Sequence, residues 1–315
     1  MVYAVYLNPT IDKTVYIDSL RVGGTNRVGK VLSQGGGKAV NLAVTLHQMD
    51  VPVTVCGFLY KGNSRLIRQS LIGISTSLWE FPGEARVNTK IFDQQSGIVT
   101  EINESGPALS ADILKQFEAV FLPQIKKEDL VVLTGSLPPG CPADYYAQLT
   151  EKLPCRVAVD ADGETLARAV EKTPFLIKPN RDELSMLTGL PLETEAELLS
   201  AGRDLLGRGV SVCAISLGSR GALILDASHA YRALPLKLEA DSTVGAGDSM
   251  MAGLCAGLLE GKDLGEALRL GSAAAAARDV YKRQILYGSI PYPPENPRGI
   301  SKRIGTGETC RAVFH

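Results

Sequence analysis

Three apolar runs, Leu130-Val131-Val132-Leu133-Thr134, Arg156-Val157-Ala158-Val159-Asp160 and Phe175-Leu176-Ile177-Lys178, are separated by the helix-like segments Pro142 to Lys152 and Glu164 to Lys172. Strand and helix alternating at this spacing is the mark of parallel βαβ units. Further on, Val212 to Leu217 and Ala222 to Leu225 read as buried strands, and Asp248 to Leu259 and Leu264 to Ala277 as helices rich in small residues. The expected fold class is α/β, with a mostly parallel sheet covered by helices on both faces.

The N-terminal third has another character. Val2 to Leu7 reads as an inner strand, whereas Thr14 to Ile17, Arg27 to Leu32, Val87 to Phe92 and Ile98 to Ile102 are short β-prone runs between polar turns. Asn26-Arg27 and Arg86-Val87-Asn88-Thr89-Lys90 set polar and charged groups at alternate positions, hence on one face of a strand. A small antiparallel sheet projecting from the core is expected.

Composition narrows the classes. The 315 residues are 45% hydrophobic, enough to bury a sizeable core. The charge is formally −1, from 33 basic and 34 acidic residues, so no global field favours nucleic acid or an anionic membrane. Cys56, Cys141, Cys155, Cys213, Cys255 and Cys310 are scattered without metal-ligand spacing and are expected to be mostly reduced core thiols. His47, His229 and His315 lie in no triad-like setting. No apolar run reaches about 18 residues and no signal-like segment opens the chain, so a cytoplasmic location is expected.

The main candidate site is Thr243-Val244-Gly245-Ala246-Gly247-Asp248, opening a helix-like run. Glycines there let backbone N–H groups point outward, and a helix N-terminus adds partial positive charge where a phosphate can sit. Asp248 would stand beside that anion hole as a proton acceptor for an attacking hydroxyl. A plain turn with an acidic cap reads the same residues. So, faintly, does a dinucleotide fingerprint, but that requires a second strand and an acidic residue about twenty positions on; here helix follows helix.

Ser33-Gln34-Gly35-Gly36-Gly37-Lys38-Ala39-Val40-Asn41 joins a strand-like run to an amphipathic helix. It is not a Walker A loop, because Leu32 and Ala39 stand where a glycine and a hydroxyl residue belong. Lys38 offers a point charge for phosphate, or is a solvated lysine in a turn. Lys178-Pro179-Asn180-Arg181-Asp182-Glu183 ends a strand and opens a helix: Asn180 and Glu183 fit a capping box, and equally a place near Mg²⁺ or its waters. Gly135-Ser136-Leu137-Pro138-Pro139-Gly140 and Ser216-Leu217-Gly218 follow strands, where open α/β sheets bind ligands or simply turn. From Arg278 the pattern breaks: Asp279 to Gln284 matches the translation of a sequencing-adapter end, and Pro291, Pro293, Pro294 and Pro297 follow. Residues 278–315 are expected to be an anomalous tail, not native to the fold.

In order along the chain, Leu7-Asn8-Pro9-Thr10-Ile11-Asp12, Gly35-Gly36-Gly37-Lys38 with Asn41, Arg86 with Asn88 and Lys90, Gly135-Ser136-Leu137-Pro138, Lys178-Pro179-Asn180 with Glu183, Ser216-Leu217-Gly218 and Thr243 to Ser249 resemble the PfkB carbohydrate kinases, of ribokinase-like fold. The resemblance runs from about residue 2 to 277, one kinase domain, with lid strands in about 13–33 and 86–103. It is strongest to the 1-phosphofructokinase and tagatose-6-phosphate kinase branch. It implies an enzyme using ATP and Mg²⁺ on a sugar phosphate, most simply fructose 1-phosphate; tagatose 6-phosphate, fructose 6-phosphate or a weakly catalytic binding protein are the alternatives.

By the same resemblance Asp248 is the base and Gly245, Ala246 and Gly247 the anion hole. Asp12 and Asn41 hold sugar hydroxyls. Lys38, Arg86, Asn88, Lys90 and Arg27 bind the existing phosphate, with Ser136 nearby, and Gly37 is a further substrate-binding residue. Lys178, Asn180, Glu183, Ser216, Gly218, Gly221 and Thr243 serve the nucleotide, with Glu183 reaching the metal through water. A homodimer through the lid sheet is implied. Ala39 departs from the branch's usual glycine, and the tail resembles none of the segments that close the adenine pocket in the family.

Overall fold

A computed structural model describes residues 1–235, 245–286 and 310–312, with the backbone alone for 278–286 and 310–312. The N-terminal part runs β1 (Val2–Tyr6), β2 (Thr10–Ile17), β3 (Lys30–Gly36), α1 (Lys38–Gln48), β4 (Val53–Tyr60), α2 (Arg65–Ser70), β5 (Ser75–Phe81), β6 (Arg86–Asp93), β7 (Val99–Asn103) and α3 (Ala111–Phe121). Then follow β8 (Leu130–Thr134), α4 (Tyr145–Lys152), β9 (Arg156–Asp160), α5 (Gly163–Val170), β10 (Leu176–Ile177), α6 (Arg181–Thr188), α7 (Glu195–Gly207), β11 (Val212–Ser216), β12 (Ala222–Leu225) and β13 (Ala230–Ala233). The last described elements are α8 (Ala246–Leu259), α9 (Leu264–Leu286) and β14 (Cys310–Ala312).

The large sheet has the order β14-β13-β12-β11-β10-β9-β8-β1-β4-β5. It is parallel from β5 through β11 and antiparallel beyond. Two apolar cores lie on its opposite faces. Leu42 and Leu46 of α1, Met251 and Leu254 of α8 and Leu268 of α9 pack with Val2, Ala4 and Val132. Phe117 of α3, Leu149 of α4, Leu166 of α5, Leu184 of α6 and Leu205 of α7 pack with Val5, Val131 and Val159. Both parities of each inner strand are therefore buried, which is why those strands read as continuous apolar runs.

The second sheet, order β3-β2-β6-β7, projects from this body. It is mixed rather than antiparallel: β2 and β6 run side by side in parallel. The reason is topological. Between them the chain passes through β4, α2 and β5 of the large sheet, the long crossover that a parallel pair requires. The third run is also displaced, since β3 begins at Lys30 and continues through Gly36, leaving Asn26 and Arg27 in the preceding loop. Asn26 closes that loop, donating to the Arg21 carbonyl and accepting from the Arg21 N–H.

Candidate active site

The carboxyl ends of the parallel strands β8, β9, β10 and β11 lie side by side, and the crevice outside them is the usual ligand position of such a sheet. Into it points the start of α8. Gly245 caps that helix at φ 84°, a left-handed conformation that favours glycine. Ser249 N–H bonds to the Gly245 carbonyl, so the N–H groups of Ala246, Gly247 and Asp248 lie in the first turn, before the helix ladder begins. Asp248 sits there as the acidic residue that the helix dipole favours.

Its carboxylate is fixed from a second helix. Asn41 Nδ2 on α1 donates to Asp248 Oδ2 at 2.8 Å. One turn on, the hydroxyls of Thr45 and Ser249 meet at 3.0 Å, and the Thr45 hydroxyl also bonds to the Asn41 carbonyl. The two helices thus hold Asp248 and Asn41 in register. Burial raises the Asp248 carboxyl above its ordinary value and nearby Asp160 adds to the rise, while Lys38, Asn41 and Lys178 hold it back.

Asp160 is the site residue that sequence reasoning missed. It ends β9 and is 2% exposed. Lys38 Nζ lies 3.0 Å from Oδ1, and Lys178 Nζ lies 3.5 Å from Oδ2. Burial would raise this carboxyl, but the two ammonium groups outweigh it and hold it below the usual range. Burial would likewise lower Lys38, yet Asp160 and then Asp248 keep it above its ordinary value and charged. A Cβ on Gly247 would stand 3.5 Å from Lys178 Nζ, which places this ammonium at the helix start. Lys38 therefore stands on the Asp160 side of the crevice, within the electrostatic reach of Asp248 and Glu183.

The projecting sheet contributes one face. The register pairs Thr10 with Arg86, Asp12 with Asn88 and Thr14 with Lys90, so these six residues share a side. Arg86 Nε donates to Thr10 Oγ1 at 2.7 Å and Nη1 to the Glu104 carbonyl at 3.1 Å. A Cβ at Gly36 would collide with the Asp12 carboxylate, so only glycine permits this approach. Lys90 is buried, 3.8 Å from Glu101. At the same end Asn8, also unforeseen as a site residue, donates to the Ser105 carbonyl and to Ser136 Oγ. The Oδ1 atoms of Asn8 and Asn88 are buried without a hydrogen-bond partner among the described residues.

Asn180 and Glu183 form the capping box: each side chain accepts the other's backbone N–H at 2.8 Å. Burial raises the Glu183 carboxyl. Ser216 is bridged to Asn180, and Gly218 begins a short 3-10 turn. Gly221 serves packing, since a Cβ there would strike the Ala233 carbonyl. Thr243 lies outside the described residues. Among the described residues no three His, Cys, Asp or Glu side chains form a metal cage. Glu183, beside the carboxylates of Asp160 and Asp248, belongs to an oxygen-donor set of the kind that Mg²⁺ takes together with its waters and phosphate oxygens.

Residues 6–278 match the model of the pfkB family carbohydrate kinases. The chain belongs to that family. Among curated relatives, the 1-phosphofructokinase of Bacillus subtilis (strain 168) is 34% identical over 88% of this chain and 92% of its own length. That of Xanthomonas campestris pv. campestris is 36% identical, over 87% of this chain and 89% of its own. Among solved structures, phosphofructokinase-2 from Escherichia coli in complex with substrates and products superposes with a TM-score of 0.83 at 27% identity, covering 88% of this chain and 92% of that one. The fold is ribokinase-like, and the enzyme is a carbohydrate kinase.

In this pfkB kinase the motifs that lie far apart in the chain converge on one crevice. Asp248, the α8 amides, Asn41, Lys38 and Lys178 meet there; Asp12, Arg86, Asn88 and Lys90 share one side of the projecting sheet, with Lys90 paired to Glu101, and Ser136 bonds to Asn8. Arg27 stays in an exposed loop. The signal for Asp160 was present in the sequence as an acid at the carboxyl end of an inner strand, the end at which such sheets bind ligands.

Proposed function

We propose that the chain transfers the γ-phosphoryl group of Mg–ATP to fructose 1-phosphate, giving fructose 1,6-bisphosphate and ADP. The observation that carries the reading is Asp248, oriented by Asn41 at the head of α8. Its other carboxylate oxygen takes the proton of the sugar hydroxyl as the hydroxyl oxygen bonds to phosphorus and the bond to the ADP oxygen breaks. The α8 amides and Lys178 face the charge on the transferring group, so positioning and electrostatics supply the catalysis. Mg²⁺, when bound, neutralises phosphate charge, with Glu183 holding it through water. The names of the Bacillus and Xanthomonas relatives support the substrate.

The test is coupled ADP release with Mg–ATP against fructose 1-phosphate, fructose 6-phosphate, tagatose 6-phosphate and fructose. Preference for fructose 1-phosphate is expected; preference for another acceptor overturns that assignment, and binding without turnover favours a sugar-phosphate binding protein. Arg86 is assigned to the existing phosphate. Arg86→Ala is expected to raise KM for the sugar phosphate about tenfold to a hundredfold, the scale of one charged hydrogen bond. KM for ATP should change far less, and equal changes would remove Arg86 from that role.

A homodimer through the projecting sheet belongs to the same reading. Its face opposite Asp12 and Arg86 exposes Val31 and Ile102, and a sedimenting species near twice 33.6 kDa is expected. The family match ends at residue 278, which supports a kinase domain of 1–277 with residues 278–315 outside it.

A further inference from the structure

Every strand that carries substrate-facing groups out from the body meets one buried phenol. Tyr6 ends β1 and is 3% exposed. Its hydroxyl accepts from the N–H of Thr10, the first residue of β2, at 2.8 Å. It donates to the carbonyl of Gly36, the last residue of β3, at 2.7 Å. Thr10 in turn accepts Arg86 Nε, so the first residue of β6 is tied to the same point. Thr10, Gly36 and Arg86 are also register partners, the first rung of the projecting sheet.

We propose that Tyr6 is a positioning residue: its hydroxyl latches the root of the projecting sheet to β1 and thereby sets Arg86 and Asp12 over the crevice. The coupling to Arg86 runs through the Thr10 side chain, and the coupling to Asp12 through Gly36, whose backbone lies against the Asp12 carboxylate. Burial holds the phenol above its ordinary value, so it remains a neutral group that donates and accepts at once throughout the working pH range. A ring that merely filled the core would need no hydroxyl at this place. Removing it leaves the Thr10 N–H and the Gly36 carbonyl, both buried, without the partner that holds the sheet down.

The kinetic half of this inference rests on the sugar-phosphate reading; the structural half does not. Parent and Tyr6→Phe are compared by amide hydrogen exchange over residues 10–17 and 30–36, and by kinetics with fructose 1-phosphate and Mg–ATP. Expected are exchange at Thr10 faster by about tenfold and KM for fructose 1-phosphate higher by about tenfold, with KM for ATP within about twofold of the parent. Thr10→Val, which removes the acceptor of Arg86, should raise the same KM, and the double variant should show less than the sum of the two effects. Unchanged exchange, equal rises in both KM values, full additivity, or a lower Tm with unchanged KM would each overturn the latch. A parent that does not turn over fructose 1-phosphate overturns the substrate reading, and the exchange measurement then decides the latch alone.

Discussion

Asp248→Asn is expected to lower kcat by about 10²- to 10⁴-fold, the range for losing a positioned general base, while the unfolding midpoint stays near the parent's. The carboxylate has two oxygens. One accepts Asn41 Nδ2 at 2.8 Å, and the other is assigned to the substrate hydroxyl. In the variant the amide oxygen keeps the Asn41 bond and the NH₂ group faces the hydroxyl, donor against donor. The pH profile supplies a second reading. Burial first, and Asp160 second, raise the Asp248 carboxyl. A proton on it removes the base, so kcat/KM of the parent should fall on the acid side, starting above the ordinary carboxylate range. Near-normal turnover by the variant would remove Asp248 from the role.

Asp160→Asn is expected to lower the unfolding free energy by about 3–5 kcal/mol, the cost of removing one partner from a buried ion pair. The substitution leaves Lys38 and Lys178 without their shared counter-charge, and Lys178 is 6% exposed. Urea unfolding with an unchanged slope gives the number. The sign with pH follows from the depressed carboxyl. Its contribution is present above the unfolded value of about 3.9 and is lost as pH falls through the lower folded value, so parent and variant converge only in strong acid. The acid limb of kcat/KM should also move to lower pH, because Asp248 loses a like charge beside it. Equal stability of the two proteins at neutral pH would mean that the lysines relax into solvent and that the triad does not hold the fold together.

These two carboxylates also mark what the sequence made legible. The βαβ region could be read because its strands are buried on both faces and bounded by turn residues, and Asp248 because it stands in a compact motif at a helix start. The projecting sheet was read with its second strand, β3, displaced, since Gly35 and Gly36 look like a turn. They are strand residues, small because Gly35 lies against the Ile67 backbone and Gly36 against Asp12. The strand β5, at the sheet edge with partly exposed positions, gave no continuous apolar run. Asp160 was marked only by its place at the carboxyl end of an inner strand, and Asn8 carries no local signature. The partner of Asp160 on α1 is 122 residues away, and that of Asn8 in the β8 turn is 128 away, so their meaning exists only once the chain has folded.

The contact between Asn41 and Asp248 spans 207 residues, and this sets the order in which the enzyme comes into being during its synthesis. The projecting strands and α1 leave the ribosome well before Asp248, which arrives on a helix that docks on surfaces already made. Closing so long a loop follows rather than precedes assembly of the intervening sheet, because the entropy of closure must be met by contacts already in place. A growing chain therefore holds Lys38 and Asn41 without a base. On the proposed reading of Asp248, chains in which α8 has not yet settled against α1 are expected to be catalytically silent.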